Sequence, residues 1–175
     1  MRQSRFLMLI IGTLIWINSC APEGGRPNIL DAARIYNSQP DAFAEIILTH
    51  PGSITEFTRI PARDPAKETS ANKLLLKRLR KAFPVEFIDF YPRSASGRDE
   101  INVVIKRYGL NSEWTVVSVI YLSAPLFPPE KDSNNALFDQ CDDRSLEWLK
   151  NNAKNGPVSV FCQINENWYA FQKVG

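Results

Sequence analysis

Residues 85–122 read VEFIDFYPRSASGRDEINVVIKRYGLNSEWTVVSVIYL, and their periodicity decides the fold. Val85–Tyr91, Ile101–Tyr108 and Trp114–Leu122 are rich in Val, Ile, Phe and Tyr, and their pattern changes with a period near two. That composition and period predict β-strands. Pro92–Asp99 forms a polar loop between the first two, and Gly109-Leu110-Asn111-Ser112 turns between the next two. Connections this short favour antiparallel neighbours, because a parallel crossover needs a dozen residues or more.

Helical signals flank this block. Upstream, Asp64-Pro65 pairs a capping residue with proline at the first helical position, predicting a helix that runs to about Ala82. At 100° per residue, Leu75, Leu76, Leu79, Ala82 and Phe83 fall on one arc, and Lys73, Lys77, Arg78, Arg80 and Lys81 on the other. Leu74 lies among the basic residues. Further upstream, Asn28 caps a short helix over Ile29–Asn37. Pro40 begins another with Phe43, Ile46 and Ile47 on its apolar side, ended by His50-Pro51-Gly52.

Downstream, Pro125–Asn135 reads as an irregular proline-rich crossover. Asp143 is the expected cap of a helix carrying Leu146, Leu149 and Ala153, stopped by Asn155-Gly156-Pro157. Val158–Ile164 and Trp168–Val174 form a hairpin around Asn165-Glu166-Asn167, with Val158, Val160, Cys162 and Ile164 on one face. The sequence thus predicts a single α+β domain over residues 28–175. Its helices would pack on one face of a roughly five-stranded antiparallel sheet.

The first residues have a different character. Met1–Arg5 carries two positive charges and no acid, and Phe6–Ile17 follows as FLMLIIGTLIWI. Twelve helical residues span about 18 Å, too short for a hydrocarbon core of about 30 Å, so the pattern reads as a signal peptide. Ile17-Asn18-Ser19-Cys20 then resembles the lipobox of bacterial lipoprotein precursors: an aliphatic residue at −3, a small one at −1, then cysteine. Asn18 departs from the small or hydroxyl residue common at −2. The resemblance covers the signal region alone. It implies a signal peptide over residues 1–19, diacylglycerol on the Cys20 thiol, and a further fatty acyl chain, palmitate for example, on the freed amine. Two or more chains hold a protein stably on a membrane. Residues 20–27 would be the lipidated cysteine and a short Gly/Pro tether. With Ala21 after the cysteine, the resemblance also implies the outer membrane of a Gram-negative cell, with the domain facing the periplasm.

Charge and cysteine count follow from that processing. The full chain has 21 basic and 19 acidic residues; removing Arg2 and Arg5 leaves 19 of each. A whole-chain electrostatic attraction to nucleic acid disappears with that balance. With Cys20 carrying lipid, Cys141 and Cys162 remain in an oxidising compartment, and an even remainder reads as one disulfide. Two reduced, buried thiols are the alternative.

Little in the chain points to catalysis or to a cofactor. His50 stands alone, without a second histidine or a C-x-x-C pair to hold zinc, so no metal is expected. Nucleophile-elbow, phosphate-loop and dinucleotide motifs are lacking. Carboxylates are harder to dismiss, because glycoside cleavage needs only two. Asp89, Asp99 and Glu100 sit on or beside strands, and Asp132, Asp139, Asp142 and Asp143 cluster before the last helix. The basic arc with Lys73, Lys77, Arg80 and Lys81 reads as a solvated face or as a contact with an anionic surface. Trp114, Trp148 and Trp168 read as core anchors, and Trp168 with Tyr169 alternatively as part of a protein or sugar contact.

The expectation is a membrane-anchored, non-catalytic binding or accessory module of an envelope, secretion or conjugation system, with a protein partner. The alternatives are a glycan- or peptidoglycan-directed hydrolase and a lipid or lipopolysaccharide carrier. A buried carboxylate pair in an open cleft would favour the hydrolase, and an empty apolar cavity the carrier. A flat aromatic patch would favour the binding module.

Overall fold

A computed structural model describes residues 26–49, 54–92, 97–110, 113–126 and 134–175. The signal peptide, Cys20, the tether as far as Gly25, His50, the Asn111-Ser112 turn and Asp132 lie outside the described residues.

The chain runs α1 (Ile29–Ser38), α2 (Pro40–Leu48), β1 (Thr58–Ile60), α3 (Ser70–Ala82), β2 (Phe87–Tyr91), β3 (Glu100–Leu110) and β4 (Glu113–Leu122). It continues through β5 (Asn135–Phe138), α4 (Asp143–Asn152), β6 (Val158–Gln163) and β7 (Trp168–Val174). The α+β class is as expected, but the sheet has seven strands, ordered β1-β2-β3-β4-β7-β6-β5, and is mixed rather than antiparallel. β5 pairs in parallel with β6, with α4 as the crossover between them. The two strands missing from the expectation are three and four residues long, too short for alternation to register. They form the two edges of the sheet, and Pro61 follows the last residue of β1.

All four helices pack on one face. Ile29, Ala32 and Tyr36 of α1, Phe43 and Ile46 of α2, Leu75, Leu76 and Leu79 of α3, and Leu149 of α4 join one buried cluster. The sheet supplies Ile88, Phe90, Val103, Val117, Val119, Val160 and Ala170 to it. Asn28 caps α1 in a capping box: its side chain accepts from Leu30 N and Asp31 N, while Asp31 accepts from Asn28 N. Gln172 Oε1 accepts from Ile29 N at 2.9 Å, fixing the start of α1 to the last strand.

Several boundaries differ from expectation. Asp64 caps only a 3₁₀ turn at Pro65–Lys67, and Thr69 caps α3 separately, so the expected helix is two elements. Ala82 is exposed rather than on the packed arc, because the helix ends there and Phe83 turns inward alone. Asp142, not Asp143, caps α4, its side chain accepting from Arg144 N. Trp168 and Tyr169 are no surface contact. Trp168 is 5% exposed and packs against Tyr36, Phe43 and Tyr121, while Tyr169 is buried on the opposite face.

Cys141 and Cys162 form a disulfide, with Cα atoms 5.1 Å apart. Cys162 points to the helix side with Val158 and Val160, and the bond ties the approach to α4 onto β6.

Candidate functional site

The other face of the sheet carries no helix among the described residues. Strand alternation sends Arg59, Phe87, Asp89, Tyr91, Asn102, Val104, Ser118, Ile120, Phe171 and Phe161 there, opposite the residues of the helix-side cluster. A bulge in β3 between Val104 and Lys106 shifts its alternation by one. That shift puts Arg107 on this face, whereas unbroken alternation would turn it toward the helices.

At one side of this face lies a charged centre. Arg59 grips Asp89 with two bonds, Nε to Oδ1 at 2.5 Å and Nη2 to Oδ2 at 2.6 Å. The Asp89 side chain is 3% exposed. Tyr91 donates to Asp89 Oδ2 at 3.2 Å, and burial, then the Asp89 charge, push its phenol up to about 12. The Phe87 ring lies between two guanidinium groups, with Arg59 4.1 Å and Arg107 4.4 Å from its centroid. Phe57, 46% exposed, packs on Tyr91. Further across, Phe161 and Phe171 pair with centroids 4.7 Å apart. Asn102 Oδ1 and Ser118 Oγ are buried here with no hydrogen-bond partner among the described residues.

A carboxylate pair does form. Tyr91 pairs across the ladder with Glu100, and Asp89 with Asn102, so Asp89 and Glu100 are diagonal neighbours on one face of the sheet. Both oxygens of Asp89 are engaged by Arg59, so it offers no free carboxylate to a water or a glycosidic oxygen. The Glu100 carboxyl is raised above its ordinary range, chiefly by burial, with Arg98 pulling it down and Asp89 pushing it up. As pH rises, the unfolded chain releases this proton before the folded chain does, so stability falls across that window. Glu100→Gln is expected to flatten the fall. Thermal melts should place the variant above wild type at pH 7 and level with it in acid, where the wild-type carboxyl is protonated in both states. A variant melting lower at pH 7 would mean that a partner favours the charged form.

The cations singled out from the sequence do converge. Lys73, Lys77, Arg80 and Lys81 line one shallow hollow of about 500 Å³ with Pro61, Ala62, Pro65, Glu68 and Leu76. Their availability differs. Arg80 donates through Nε to Val85 O and through Nη2 to Glu86 O, so its fork is closed on the chain leading into β2. Glu68, whose carboxylate accepts from Ala62 N, places an acid in the hollow. Arg78 is turned aside to Glu45 at 2.5 Å.

A second cleft, of about 980 Å³, opens at the end of the sheet where β3 and β7 finish and β4 and β6 begin. Sequence reading missed it, because Arg26, Tyr108, Trp114, Lys154 and Gly156 come from three distant segments. Gly156, at φ +135°, stops the turn after α4 and bends the chain into Pro157. Cations line both hollows, although much of the α3 hollow's wall is apolar.

Comparisons with protein-family models, with curated proteins and with solved structures found no match.

Proposed function

We propose that this chain is a lipid-anchored envelope lipoprotein, held on the outer membrane through Cys20 and facing the periplasm. Its domain is a non-catalytic binding module of an envelope, secretion or conjugation assembly, and the accessible part of the helix-free sheet face, with Phe57, Tyr91, Phe161 and Phe171 around a buried centre, receives its protein partner. One observation carries the reading: arginine and aromatic side chains share a sheet face that no described helix covers. Arg and aromatic residues are enriched where proteins bind one another. The complementary partner offers apolar side chains to Phe161 and Phe171, and a carboxylate to Arg107, whose side chain is half exposed beside Glu86. The closed Arg59–Asp89 pair weighs against the hydrolytic alternative. Lys73, Lys77, Arg80 and Lys81 are, on this reading, a secondary contact with an anionic surface.

A photocrosslinking side chain placed at Tyr91 or Phe161 of the full chain, in its native envelope, tests the partner face. The expected result is one discrete adduct with an envelope protein, weakened by Phe171→Glu and missing when the crosslinker replaces Lys77 on α3. The same adduct from Lys77, or none from Tyr91 and Phe161, would move the contact off this face. Anchoring is tested separately by feeding an alkyne-bearing fatty acid. Cys20→Ala is expected to lose the label and leave unprocessed precursor, and label persisting in the variant would exclude Cys20 as the anchor.

A further inference from the structure

We propose that the cleft at the end of the sheet binds the phosphate headgroup of anionic phospholipid in the membrane that holds Cys20. The inference rests on the lipid anchoring proposed above and deepens it by naming a lipid contact and an orientation.

Two independent placements converge on this cleft. The first is where the chain enters the fold. Tyr108 Oη donates to Pro27 O at 3.2 Å, and the Arg26 guanidinium lies 5.2 Å from the centroid of the same ring. The tether is therefore fixed to the domain at the cleft wall. Only five residues lie between Cys20 and Arg26, six steps of chain with a reach of about 21 Å at full extension. That length limits how far Arg26, at the cleft wall, can stand from the anchored Cys20.

The second placement is chemical. Arg26 and Lys154 line the cleft, and Lys173 Nζ sits 5.2 Å from the centroid of the Trp114 ring on its rim. Trp114 is 36% exposed, its backbone held by reciprocal bonds with Gly175, N to O at 2.7 and 2.9 Å. Amphipathic Tyr and Trp rings beside cations match the headgroup layer of an anionic membrane, where such rings settle and basic residues are attracted.

The far end of the sheet has the opposite character. Glu100 begins β3 there, Glu166 lies in the β6–β7 turn, and Asp139, Asp142 and Asp143 cluster around the disulfide end of β5 and β6. With the cleft on the membrane, that acidic end points away from phosphate.

The processed, lipidated protein reconstituted into vesicles decides the matter. Vesicles of phosphatidylcholine alone are compared with vesicles that also contain phosphatidylglycerol, both doped with a headgroup spin label. The readout is quenching of Trp114 fluorescence, isolated by subtracting a Trp114→Phe variant. Phosphatidylglycerol is expected to increase the quenching severalfold. Arg26→Glu with Lys154→Glu should abolish the increase, and Arg144→Gln, an exposed cation at the start of α4 away from the cleft, should leave it intact. Equal quenching in both vesicles, or an increase that survives Arg26→Glu with Lys154→Glu, overturns the proposal. Inorganic phosphate that removes the increase at constant ionic strength reassigns the cleft to a soluble anion and overturns the lipid assignment. Fatty-acid label on Cys20 in the same preparation separates the two failures. Label with no quenching difference sinks the cleft alone, whereas missing label sinks the anchoring and the cleft with it.

Discussion

Arg59→Met is expected to destabilise the domain by about 3–5 kcal/mol, the range for stranding one member of a buried ion pair. Asp89 has almost no access to water, and its two oxygens are occupied by the Arg59 fork, with Tyr91 adding a third bond. Methionine approximates the arginine stem and removes every donor. It also removes one of the two cations stacked on Phe87, a smaller loss of about 0.5–1 kcal/mol. The double variant Arg59→Met/Asp89→Leu discriminates between causes, since it takes away the stranded charge along with its partner. Urea melts should show the double variant regaining most of the stability lost by the single one. A single-variant loss of about 1 kcal/mol or less would place this pair with ordinary exposed salt bridges.

The second large effect is at the disulfide. Its cysteines are 21 residues apart, and closing a loop of that size stabilises by about 3 kcal/mol in the chain-entropy picture. Cys141→Ser removes the bond at a half-buried position and should cost about that much. Cys162→Ala removes the bond and also opens space in the core, where Cys162 is wholly buried, so its loss should be larger by about 1 kcal/mol. Melts with and without reductant provide the control. Reductant should lower wild type to the level of Cys141→Ser and leave that variant unchanged. Two titratable thiols in unfolded, unreduced protein would sink the prediction outright.

The sequence showed most clearly what is periodic and local. Three long strands and the last hairpin, the helices, and the capping role of Asn28 could all be read from apolar spacing and cap chemistry, and the structure has them. β1 and β5 could not, because three residues of Thr-Arg-Ile and four of Asn-Ala-Leu-Phe gain their conformation from the neighbouring strand. β5 is parallel because α4 lies between it and β6, a pairing settled only in three dimensions. The disulfide was legible through cysteine count together with the face of Cys162. The Arg59–Asp89 centre was not, since it joins residues 30 apart across an edge strand that had no signal of its own. The bulge that reorients Arg107 likewise leaves no mark in the alternation around Ile105. The four α3 cations were found because a helix places them by spacing alone, but the capture of Arg80 by Val85 O and Glu86 O depends on how the chain turns after Phe83.

On the anchoring proposed above, the two edges of the sheet bear on life in a crowded plane. Molecules tethered to one surface meet far more often than the same molecules in bulk, and unpaired strand edges invite them to stack into a shared ladder. Here one edge offers three residues before Pro61, which has no amide hydrogen to donate, and the other offers four. Neither is long enough to template a growing ladder. Copies can therefore be packed densely without seeding one another's aggregation, and lengthening either edge would put that tolerance at risk.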